Sequence, residues 1–143
     1  MTLIVDTGPI LARLNPASAL AQAVTDVLSK ERSKPVMPQT VAAELDYMLG
    51  SRGGPEASRE LLRDVAAGRF DLSCLEPGDL AAVLALDQKY RDLKVGLVDL
   101  SVVVLAARYR TTRLLTLDQR HFRLIRPLQG GVFTLLPFDE DIV

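Results

Sequence analysis

The sequence predicts an α/β fold in which a mostly parallel central sheet is covered by helices on both faces. Three observations carry that reading. Short apolar, β-branched runs alternate along the chain with longer stretches whose apolar residues recur at helical spacing, the pattern of strand–helix–strand units. The strand runs lack a polar face, as strands buried from both sides do. No repeat, low-complexity stretch or long linker interrupts the 143 residues, a length that suits one domain spanning 1–143.

The elements follow in order. Residues 2–5 form a buried strand. Asn15-Pro16 signals a helix start, with Asn as N-cap and Pro at the first helical position. Leu20, Val24, Val27 and Leu28 then repeat at helical spacing. Residues 35–37 are a short strand, and Val41, Leu45, Met48 and Leu49 form the next helical stripe. Gly53-Gly54-Pro55 breaks that helix and starts another, running to about residue 68. Residues 70–75 read as a strand, and Pro77 opens a helix carrying Leu80, Val83, Leu84 and Tyr90. Residues 98–108 are apolar almost all round, so that helix is central and buried. Residues 114–117 and 132–136 are strands, the second entered through a turn at Gly130-Gly131.

Composition narrows the function. Hydrophobic residues make up 48% of the chain, enough for a real core. A single cysteine, Cys74, excludes an internal disulfide framework and a cysteine-rich zinc site. The longest strongly apolar run, residues 100–107, falls far short of the ~18 residues of a membrane span. The start lacks a basic region and Asp6 interrupts its short apolar run, so the expectation is a cytoplasmic protein without a secretory signal. The net charge of −1 is unevenly spread. Residues 108–126 hold six arginines against Asp118 alone, a net +5 that leaves −6 elsewhere. Arginine suits bidentate contact with phosphate, so this segment points to an anionic partner.

Four carboxylates stand where a packed fold does not need them. Asp6 directly follows the first strand and Asp118 follows the run Leu114-Leu115-Thr116-Leu117, so both project at the carboxyl edge of the sheet, where α/β folds place their sites. Glu44 shares the apolar face of its helix with Val41 and Met48. Asp99 lies in the first turn of the central helix. Singly, each has a plain structural role as a cap, a turn residue or an arginine partner. Together, converging carboxylates about 4 Å apart repel by roughly 4 kcal/mol at an effective dielectric of 20, and so share protons or hold a cation. With hard oxygen donors and no His or Cys cluster, the fitting cation is Mg²⁺ or Mn²⁺. Such an ion beside an arginine-rich segment points to phosphodiester hydrolysis, with one carboxylate orienting the attacking water.

These residues resemble a PIN domain, and within that group a VapC-type toxin ribonuclease of a toxin–antitoxin pair. The matching segments are Leu3-Ile4-Val5-Asp6-Thr7, Val41-Ala42-Ala43-Glu44-Leu45, Gly96-Leu97-Val98-Asp99-Leu100-Ser101 and Leu115-Thr116-Leu117-Asp118-Gln119-Arg120-His121-Phe122. They occur in the family's order across essentially the whole chain. The resemblance implies a PIN-like, Rossmann-like sheet and an acidic pocket of Asp6, Glu44, Asp99 and Asp118. In that pocket Asp6, Asp99 and Asp118 bind Mg²⁺ or Mn²⁺, and Thr7 and Thr116 support them. It further implies a homodimer, cleavage of structured RNA such as tRNA or ribosomal RNA, and inhibition by a cognate VapB-type antitoxin lying across the acidic site. Gly8 departs from the pattern, since many relatives carry Ser or Thr there.

Other residues receive plainer readings. Arg120 and Arg123 neighbour Asp118 and are the candidates for RNA contact. His121, the single histidine, reads as a partly exposed helix residue, Cys74 as a small buried hydrophobe, Asp46 as outside the acidic cluster, and Asp139, Glu140 and Asp141 as a solvated tail. Tyr90, Phe122 and Phe133 read as core. Two other function classes compete. A phosphotransfer domain also puts Asp at strand ends, but Gly8 occupies the position where the phosphatase version needs its second acid. A catalytically silent PIN-like module, engaging RNA or a protein through the acidic pocket, stays open.

Overall fold

Five short strands build the sheet: β1 (Ile4–Val5), β2 (Val36–Pro38), β3 (Asp71–Ser73), β4 (Arg113–Leu115) and β5 (Thr134–Leu136). In this computed structural model, which describes residues 1–142, they lie in the order β3-β2-β1-β4-β5, every neighbouring pair parallel. The flanking helices are α1 (Thr7–Arg13), α2 (Ala21–Lys30), α3 (Gln39–Gly53), α4 (Pro55–Ala66), α5 (Leu80–Lys89), α6 (Leu97–Arg108) and the one-turn α7 (Gln119–Phe122).

The strand order has a functional consequence. From β1 the chain steps outward to β2 and β3, then returns to lay β4 on the other side of β1. Connections therefore leave β1 and β4 in opposite directions, and a crevice opens beyond their carboxyl ends. Leu3, Ile4 and Val5 are fully buried, which explains why that strand has no polar face.

Helix α6 is the other organiser. Every residue from Leu100 to Ala106 is buried, and it packs on β1, β2, α3 and α5. Three consecutive valines would disfavour a solvated helix, but here burial on all sides outweighs that propensity. The helix ends in a Schellman arrangement. Thr111 N–H donates to Ala106 O at 2.9 Å, while Arg110 takes a left-handed φ of 52°.

Two details differ from the sequence reading. The second helix starts at Ala21, not at Pro16. Asn15 Oδ1 instead accepts from Ala17 N–H at 3.1 Å, a local turn inside the connection from α1. Cys74 is exposed, because β3 ends one residue before it. The aromatic reading agrees with the packing. Phe122 and Phe133 are buried edge to face with centroids 6.0 Å apart, and the partly buried Tyr90 packs against the same core.

Candidate active site

The site begins where β1 stops. Asp6 N–H makes the last rung to β4, donating to Leu115 O at 2.9 Å, so its side chain emerges at the crevice between the two strands. One carboxylate oxygen accepts from Thr7 N–H at 2.8 Å and caps α1. The other accepts from the Thr116 hydroxyl at 2.7 Å. That hydroxyl oxygen in turn accepts from Asp118 N–H at 3.0 Å, so Thr116 links the two strand-end acids. Asp118 caps α7 through His121 N–H at 3.0 Å. Its second oxygen lies 2.8 Å from His121 Nδ1. Asp99 arrives from the first turn of α6, with Oδ2 3.8 Å from the same Nδ1. The far ring nitrogen, Nε2, is 3.0 Å from Leu93 O.

Asp6, Glu44, Asp99 and Asp118 all line one cavity of about 340 Å³, together with Thr7 and Gly8. No lysine or arginine is among its lining residues. Burial pushes the Asp6 carboxyl above its ordinary range, against the hydrogen bonds from Thr116 and Thr7, with Asp118 and Glu44 adding to the rise. Asp99 is pushed up to about 6, first by burial and then by the charges of Asp6, Asp118 and Glu44, with His121 opposing. The N-termini of α1, α6 and α7 supply partial positive charge to these acids. Protonation or a divalent ion supplies the remainder. The donor set suits the ion: hard carboxylate oxygens, converging, and partly shielded from water.

The structure uses the other predicted residues unevenly. Thr7 is 6% exposed, and among the described residues its Oγ1 is the buried side-chain oxygen left without a partner. Arg120 is exposed and in no ion pair among the described residues. Arg123 is committed within the chain, donating to both Asp139 oxygens at 2.7 and 2.8 Å and to Gln119. As a candidate for RNA contact, Arg123 therefore starts from an internal ion pair with Asp139. Arg108 is held by Asp79 and the Cys74 carbonyl, and Arg113 by Glu31 and Asp141. Half of the basic segment is thus neutralised internally, and the acidic tail is not simply solvated. Asp46 is exposed and takes a hydrogen bond from Ser58, outside the acidic cavity.

His121 is the partly exposed helix residue that the sequence suggests, with ring contacts the sequence did not assign. It is part-buried, and its ring bridges Asp118 and the 91–94 turn. The available signal was its spacing of three from Asp118, which puts the two on one face of a helical turn.

Comparison with known proteins agrees with this architecture. A family model described as PIN domain matches residues 3–126. The chain is 37% identical over 135 residues to Ribonuclease VapC26 of Mycobacterium tuberculosis, covering 94% of this chain and 100% of that protein. Among solved structures, the Mycobacterium tuberculosis VapC20, a sarcin–ricin loop cleaving toxin, superposes with a TM-score of 0.75 at 13% identity. That match covers 82% of this chain and 90% of the other. VapBC2 from Rickettsia felis, bound to a promoter DNA fragment, gives a TM-score of 0.68 at 17% identity, covering 99% of this chain and 100% of that one.

Proposed function

The chain belongs to the PIN-domain family, and from that premise we propose that it is a divalent-metal-dependent endoribonuclease, the toxin of a VapC-type toxin–antitoxin pair. The whole of 1–143 serves as one domain of this kind. The observation that carries the reading is the convergence of four carboxylates on one cavity that no lysine or arginine lines. A purely structural cluster of that size would carry its own counter-charges.

In this mechanism Asp6, Asp99 and Asp118 would hold a Mg²⁺ or Mn²⁺ ion, which when bound would supply Lewis acidity to a phosphoryl oxygen and acidify water. Thr116 fixes the Asp6 carboxylate and the Asp118 backbone, so the two acids keep their relative positions. Glu44, on a different helix, orients the attacking water and accepts its proton at a carboxylate oxygen. The unpartnered Thr7 hydroxyl is available as a donor in the same cavity. Arg120 binds backbone phosphate at the rim. Arg123 can assist only by leaving Asp139. The substrate class is structured RNA, tRNA or ribosomal RNA.

A second feature supports an antitoxin partner. A largely apolar groove of about 580 Å³, lined by Leu11, Leu14, Leu49 and Ala57 among others, shares Gly8 and Leu11 with the acidic cavity. A segment of a VapB-type antitoxin lying there reaches the acids directly. The active form is a homodimer able to enter a larger toxin–antitoxin assembly, and it works in the cytoplasm. No helix among the described residues is long and apolar enough to cross a membrane.

Cleavage of purified tRNA and intact ribosomes tests the reading. A discrete cut with Mg²⁺ or Mn²⁺ is expected, absent with EDTA and reduced about a thousandfold in Asp99→Asn, since loss of several kcal/mol of charge stabilisation is of that size. An Asp99→Asn protein that folds and cuts normally would remove the site assignment.

A further inference from the structure

We infer that His121 Nδ1 is a nitrogen ligand of the ion held at the acidic cavity, making this a mixed nitrogen–oxygen site suited to a first-row transition ion such as Mn²⁺ over Mg²⁺. The inference rests on the metal-dependent reading above and adds a residue and a metal preference to it.

The argument starts at the far side of the ring. Leu93 O lies 3.0 Å from Nε2, and a carbonyl oxygen only accepts, so Nε2 carries the hydrogen. With Nε2–H engaged there, the other ring nitrogen, Nδ1, is turned toward the acids. There Nδ1 meets Asp118 Oδ2 at 2.8 Å and Asp99 Oδ2 at 3.8 Å. Three potential ligand atoms, one each from Asp99, Asp118 and His121, lie within 4.8 Å of one another. In the metal-free protein a proton on Nδ1, donated to Asp118, links the pair, and a bound ion would take that proton's place. A backbone carbonyl holding the outer N–H while the inner nitrogen faces carboxylates is the second-shell arrangement of a metal-ligating histidine.

A second observation points into the same cavity. Thr7 lines it, is 6% exposed, and leaves its Oγ1 without a partner among the described residues. That hydroxyl is open to a hydrogen bond from or to a group entering the cavity. An imidazole in the set shifts preference, since Mg²⁺ favours all-oxygen surroundings and nitrogen donors favour transition ions.

The chain's single histidine makes the test direct. Tag-free protein is loaded with Mn²⁺ and examined by electron spin-echo envelope modulation. The expected spectrum shows ¹⁴N coupling that becomes ¹⁵N coupling when the protein is made with [¹⁵N]histidine, with no mutant required. Calorimetry of His121→Ala is expected to show Mn²⁺ binding about tenfold weaker or more, with Mg²⁺ binding changed by less than about threefold. Mn²⁺ bound by the native protein without nitrogen coupling overturns the ligand and leaves the acidic metal site standing. No Mn²⁺ binding at all overturns both.

Discussion

The two ends of the sheet gather charge in opposite ways. At the amino end, Arg113 is 2% exposed and sits between Glu31 at 2.5 Å and Asp141 at 2.8 Å, with a further hydrogen bond to Met1 O at 2.6 Å. Burial alone would make that guanidinium easier to deprotonate, but its bonds to Glu31 and Asp141 raise it well above the ordinary arginine range. At the carboxyl end, four acids meet and the one basic side chain among them is His121. The first cluster closes on itself and ties the chain's start, the end of α2 and the tail to β4. The second is left unbalanced. Compensated charge marks a structural clasp, while uncompensated charge marks a place prepared for something from outside.

The sharpest way to break that comparison is to remove the compensation. Arg113→Met leaves the Glu31 carboxylate, 9% exposed, without its cation. A loss of about 3–5 kcal/mol is expected, read as a fall of roughly 10 °C in melting temperature. Adding Glu31→Leu should restore most of it, because Asp141 is 42% exposed and can turn to water. RNA cleavage by the single variant, assayed well below its melting point, should match the parent. A variant that melts normally would show that the amino-end cluster is ornament to the packing.

The carboxyl end should respond in the opposite sense to charge and pH. Asp99, raised to about 6, binds a proton more tightly folded than unfolded. The folded chain therefore holds more protons between about pH 4 and pH 6, and metal-free stability falls as pH rises through that window. Asp6 is shifted the same way. Asp139 and Asp79, held low by hydrogen bonds, act below the ordinary carboxylate range and with the opposite sign. Melting temperatures measured from pH 4.5 to 7 should thus decline without metal, decline less in Asp99→Asn, and stay flat with saturating Mn²⁺. A rise across that range in the metal-free protein would mean that the acids are compensated after all.

The same contrast explains what the sequence could and could not tell. Asp6 and Asp118 were legible because a buried strand ending in an acid is a local pattern. Asp99 and Glu44 were legible because each breaks the apolar face of its own helix. All four line the cavity. Strands were legible to within a few residues for the same local reason. The Arg113 clasp was not, since Glu31 lies 82 positions earlier and Asp141 28 positions later. His121 looked ordinary because its meaning depends on Leu93 O, 28 positions away. Arg123 looked available until the fold brought Asp139 to it. Asn15 was misread for a local reason: an Asn-Pro pair suits a turn as well as a helix start.

The smallest expected effect tests how tightly the uncompensated end is built. Gly8, the second residue of α1, is the one departure from the family pattern beside the acids. A Cβ there would lie 3.5 Å from Leu117 Cβ, an ordinary contact, and nothing nearer opposes it. Glycine inside a helix costs about 0.5–1 kcal/mol relative to alanine, and serine recovers part of that. Gly8→Ser should therefore raise stability by about 0.5 kcal/mol, a shift of roughly 1–2 °C. Cleavage should stay within about threefold of the parent, because Asp6 keeps both its partners, Thr7 N–H and Thr116. A tenfold loss of cleavage with unchanged stability would show that the space over Gly8 is used by the substrate itself. The open end of the sheet would then be shaped by what it binds, as the closed end is shaped by Arg113.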